Sequence, residues 1–167
     1  MPLGPRRSSR PIRRFNPRQR VWSTFDNNST VASGLAGDVD LLAPLEVAGA
    51  SVLGCTVLRT LIKVYVPWSG VAGDGIYAGT MVGNLSDVGT GRLDPGPAAA
   101  EDDWAFLTRV FQPFTGAAAD ANREYFWDIK SKRRIEELNS RWVFAWHNLA
   151  AGNKTISIYV RTLVALA

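Results

Sequence analysis

The run TVLRTLIKVYVPW, residues 56–68, decides the fold. Its β-branched and aromatic residues alternate with period two. Leu58, Thr60, Ile62, Val64 and Val66 share one face, and Val57, Arg59, Leu61, Lys63 and Tyr65 share the other. The spacing predicts a strand with one face in a core and the other against solvent or a neighbour. Pro67 ends it, because proline cannot donate to a ladder.

Working outward, the chain repeats this pattern. SGVAGDG turns into IYAGTMVGNL, where Ile76 to Val82 reads as a strand. Upstream, RVWSTFD (20–26) reads as a first strand followed by a turn at Asn27 and Asn28, then short strands at 30–32 and 39–42. A brief helical turn is expected within 45–52. Downstream, SDVGTGRLDPGPAAAEDD (86–103) holds five of the fifteen acids and reads as a surface loop. DDWAFLTRVFQPF (102–114) is compatible with a short helix capped by Asp102 or with a strand. In YFWDIKSKRRIEEL (125–138), Tyr125, Trp127, Ile129 and Ile135 face one way, and Asp128, Lys130, Lys132 and Arg134 the other. RWVFAWHNL (141–149) and TISIYVRTLVAL (155–166) follow, joined by AAGN as a hairpin-like loop. Seven to nine strands with at most one or two helical turns predict an all-β antiparallel sandwich or barrel.

Charge is segregated. Arg6, Arg7, Arg10, Arg13, Arg14, Arg18 and Arg20 precede the first acid, Asp26, so residues 1–20 carry +7. Residues 21–167 hold 12 basic against 15 acidic side chains, a net of −3. The sequence pI near 9.6 therefore belongs to the arm. A block of like charges punctuated by Pro2, Pro5, Pro11 and Pro17 is expected to be a disordered arm ahead of one domain, 21–167. Guanidinium groups grip phosphate through two oxygens at once, so the arm is expected to bind polyanion independently of sequence and to release it with salt. The alternatives are a nuclear localisation signal, a membrane-surface patch or a solvated tail. KSKRR (130–134) is a candidate second basic face, with Lys130, Lys132, Arg133 and Arg134; it reads first as a solvated face or as salt bridges with Glu136 and Glu137.

Residues for catalysis are scarce. His147 is the sole histidine and Cys55 the sole cysteine, so no histidine cluster, intrachain disulfide or cysteine zinc site can form within one chain. Cys55 is expected to be a buried thiol and His147 a strand residue at a face or interface. GVAGDGIYAG (70–79) lacks a following helix and reads as a turn rather than a phosphate loop. The adjacent acids Glu101, Asp102 and Asp103 read as a solvated loop or helix cap. Prolines and arginines fill the place where a signal peptide needs an apolar stretch, and Pro44 and Glu46 interrupt the most apolar window, 41–58, so neither leader nor membrane span is expected. No catalytic residue, metal site or cofactor is expected.

An Arg- and Pro-rich arm on a compact all-β body rich in aromatics resembles the coat proteins of small icosahedral viruses of the single jelly-roll type. The stretch DIKSKRRIEELNSRWVFAWHNLAAGNKTISIYVRTLVAL (128–166) is also similar to the C-terminal part of capsid proteins from environmental small-virus genomes. The resemblance implies a single jelly roll of two four-stranded sheets and a non-enzymatic protein of the virion that assembles with copies of itself. It implies too that the seven arm arginines neutralise the phosphates of the viral genomic nucleic acid. Six tryptophans exceed what one small core readily encloses, and some are expected at subunit contacts. Two other classes fit less of the chain: a phage decoration or minor virion protein on a lattice built by another protein, and a cellular β-barrel nucleic-acid-binding module. The last calls for aromatics interleaved with basic residues on one sheet face, whereas 125–134 places them on opposite faces.

Overall fold

The structure, a computed structural model, describes residues 19–67, 75–90, 92–96, 106–113 and 122–167. Among these residues eight strands are formed: β1 (Arg20–Val31), β2 (Ala36–Asp40), β3 (Thr56–Pro67), β4 (Gly75–Asn84), β5 (Phe106–Pro113), β6 (Asn122–Arg134), β7 (Ser140–Asn148) and β8 (Lys154–Ala165). A five-residue helix, α1 (Ala43–Val47), and one 3₁₀ turn (Leu85–Asp87) interrupt them. The segment 106–113, left open between helix and strand, is a strand.

Every pairing is antiparallel and the pairings nest: β1 with β8, β2 with β7, β3 with β6, β4 with β5. Folding this long double ribbon over itself gives one sheet of order β1-β8-β3-β6 and another of order β2-β7-β4-β5. That order is a single jelly roll, as expected, and the two sheets enclose one apolar core. Trp142 and Trp146 are fully buried, and their indole N–H groups donate to Thr60 Oγ1 and Ser29 Oγ, both at 3.0 Å. Cys55 is buried as expected.

Four local expectations are corrected. The turn at Asn27 and Asn28 does not form; both continue β1, paired with Ile158 and Ser157, because the β8 ladder outweighs the weak strand preference of asparagine. AAGN is not a hairpin: β7 is bonded on both edges, by β2 and β4, so β8 has no edge to join there and crosses to the other sheet. In β3 the register shifts between Val57 and Arg59, which turns Val57 into the core and leaves Leu58 only partly buried. The 86–103 loop is not wholly surface. Leu93 is buried with Met81, Val143 and Ala145 in a second apolar cluster on the outside of the β2-β7-β4-β5 sheet.

That last correction separates the two sheets. Residues 88–90 and 92–96 lie over β4 and β7, pinned where the carboxylate of Asp38 accepts from Gly89 N–H. Gly96 approaches so closely that a Cβ there would stand 2.6 Å from His147 Nδ1. With a core on one side and this cover on the other, β7 is buried at every position from Arg141 to Asn148. The outer face of the β1-β8-β3-β6 sheet has no such cover among the described residues.

Candidate nucleic-acid interface

Of the expected arm residues, Arg6, Arg7, Arg10, Arg13, Arg14 and Arg18 lie outside the described residues. Arg20 is the first residue of β1, an edge strand, and is exposed. Lys130, Lys132, Arg133 and Arg134 lie on β6, the opposite edge of the same sheet, and all four are exposed. The ladder brings the two groups to one end of the sheet: Arg20 is level with Ala165, Ala165 with Thr56, and Thr56 with Arg134. Three strand spacings separate Arg20 from Arg134, about 14 Å. No ion pair ties any of the four β6 cations to Glu136 or Glu137 among the described residues, so of the two expected states, solvated or paired, these cations are solvated.

The outer face that runs from this end is ordered in rows. One row reads Trp22, Leu163, Arg59, Lys130; the next Thr24, Arg161, Leu61, Asp128; the next Asp26, Tyr159, Lys63, Phe126; and a fourth Asn28, Ser157, Tyr65, Glu124. Large rings are exposed on it: Phe126 at 65%, Tyr159 at 43%, Trp22 at 39% and Tyr65 at 37%. Cations stand between them. Arg59 binds Asp128 through two hydrogen bonds of 2.7 and 2.6 Å, and Lys63 pairs with Glu124 at 2.9 Å. The guanidinium of Arg161 lies 4.8 Å from the centroid of the Trp22 ring. With those two ion pairs satisfied, Arg20, Lys130 and Arg161 face one remaining acid among the described residues, Asp26.

Sequence reasoning missed this face because it was sought within one strand. Tyr125 and Trp127 do turn inward, with stacked rings 6.0 Å apart packed on the core. The exposed rings come instead from all four strands, one from each. The signal was present as the outward positions of each alternation, but which strands lie side by side is not local information.

His147 Nδ1 is 2.9 Å from Asp94 Oδ1 beneath the loop cover. Burial pushes the Cys55 thiol up to about 11, away from reactivity at neutral pH. The guanidinium of Arg141 is buried and meets Asp40 at 3.2 Å and Glu46 at 2.7 Å, tying β7 to β2 and α1. Among the described residues no three His, Cys, Asp or Glu side chains converge as metal ligands. Glu101, Asp102, Asp103, Trp68 and Trp104 lie outside the described residues, as does the first part of 70–79.

No protein-family model and no curated protein matches the sequence. Solved structures similar in backbone include the tobacco streak virus coat protein dimer, with TM-score 0.44 and 14% identity over 88% of this chain and 85% of that one. Cocksfoot mottle virus gives TM-score 0.43 and 9% identity, covering 88% and 92% of the two chains. Desmodium yellow mottle tymovirus gives 0.43 and 10%, covering 90% and 88%. The jelly-roll assignment rests on the strand order itself.

Proposed function

We propose that the chain is the structural coat protein of a small icosahedral virus, a virion component that self-assembles into a shell and packages genomic nucleic acid through Arg6, Arg7, Arg10, Arg13, Arg14, Arg18 and Arg20. A jelly roll alone does not define a function. The supporting observation is its junction with the arm: a +7 tract leads into the edge strand of a β-sandwich, and residues 21–167 sum to −3. The net charge of the body does not favour phosphate, so most of the phosphate binding falls to the tail. One tail of seven cations binds weakly at physiological salt. Many tails gathered inside one shell bind tightly, because each further contact is made at high effective concentration.

The test is negative-stain electron microscopy of the purified protein together with its nuclease-protected nucleic acid. Uniform spherical particles that protect nucleic acid are expected. Monomers or small oligomers across all salt and nucleic-acid conditions would overturn the reading.

A further inference from the structure

We propose that the outer face of the β1-β8-β3-β6 sheet, which has no loop cover among the described residues, is a second nucleic-acid site, one that stacks the bases of a single strand on Tyr65, Phe126 and Tyr159. It rests on the packaging reading above and deepens it, since the arm then supplies phosphate binding and the sheet supplies base contacts.

Lys63 sits directly between Phe126 on β6 and Tyr159 on β8, and Tyr65 stands two residues along its own strand. The three rings thus surround one cation. Phe126 and Tyr159 are two strand spacings apart, about 10 Å. Every base has a flat π face, so exposed rings bind unpaired bases with little regard to sequence, while nearby cations hold the backbone. A base in a duplex is already stacked and presents no free face. The site therefore discriminates single strands from duplex, which the arm by itself does not.

Charge selects the occupant. With Lys63 and Arg59 paired internally, the face keeps an excess of cations through Lys130, Arg161 and the arm junction at Arg20. Two copies of this chain meeting face to face would bring those like charges together, which disfavours a symmetric contact. A polyanion meets no such repulsion. The arm also enters the fold at the corner of this face, so a strand held by the arm is delivered to it.

The test uses the full chain, a labelled single-stranded 20-mer of uniform base, and a duplex of the same length, with binding followed by anisotropy across a salt series. The double variant Phe126→Ser/Tyr159→Ser is expected to weaken single-strand binding by about ten-fold for each ring lost, with the salt slope and the duplex affinity unchanged. Phe126→Trp/Tyr159→Trp keeps two rings and is expected to retain affinity. A serine variant that binds both nucleic acids as the parent does, or that loses both equally, overturns the stacking site. So does a serine variant that fails to form particles without nucleic acid, which would make the face a contact between copies. Replacing the six arginines at 6, 7, 10, 13, 14 and 18 by glutamine separates the two claims. If that lowers affinity for both nucleic acids while the serine variant changes nothing, the arm stands and the sheet site falls.

Discussion

Asp128 and Asp40 show opposite ways in which surroundings act on a carboxylate. Asp128 is exposed, and its hydrogen bonds from Arg59 hold the carboxyl below the usual value of 3.8. Asp40 lies beside the buried Arg141, yet burial outweighs that partner and its carboxyl is raised above 3.8. The two therefore bias stability in opposite senses. A lowered acid stabilises the fold above its unfolded value and loses that contribution as pH falls through its folded value. A raised acid contributes most below 3.8 and loses that as pH rises through its folded value. Arg59→Gln is expected to move the Asp128 titration midpoint up toward 3.8, read by NMR of the carboxyl carbon, and an unmoved midpoint would show that Arg59 is not its cause. The isolation of His147 and Cys55 was legible from counting alone. The Arg141 cluster was not, because Asp40, Glu46 and Arg141 are far apart in sequence and only the β2–β7 pairing brings them together.

At the scale of elements, the decisive detail is the irregularity at Val57–Arg59 in β3. Strict alternation from Val66 backward puts Leu58 in the core and Val57 outside. The bulge reverses that pair while leaving Thr60, Ile62, Val64 and Val66 buried as read. Val57→Ala is therefore expected to cost roughly 2 kcal/mol in urea unfolding, and Leu58→Ala less than half as much. The reverse ranking would mean that the strand runs without a bulge. Period-two patterning exposed β3, β6, β7 and β8 well, because side-chain alternation is a property of a single extended backbone. It failed at Asn27–Asn28 and at AAGN for one reason: whether a polar pair turns or continues, and whether a loop closes a hairpin, depends on which partner strand has a free edge.

For the whole molecule, the separation of arm from body makes a clear expectation. Gln19 accepts from Leu166 N–H, and β1 starts at Arg20, so the described fold begins there. Deleting residues 1–18 is expected to leave the urea midpoint unchanged and to reduce packaged nucleic acid. The slope of log affinity against log salt for a single strand should shrink by up to about 4 for the six arginines removed. Unchanged nucleic-acid content would count against the arm. By itself the sequence determined the all-β class, the segregation of charge and the scarcity of catalytic groups, since each follows from composition or from the local geometry of one strand. Only the tertiary structure decided the nested order of strands, the loop cover on one sheet and the exposed aromatic face on the other. It alone set Arg20 level with Arg134 across four strands. The physical reason is that strand pairing joins backbones distant in sequence, and which edges meet is settled by the packing of the whole sandwich.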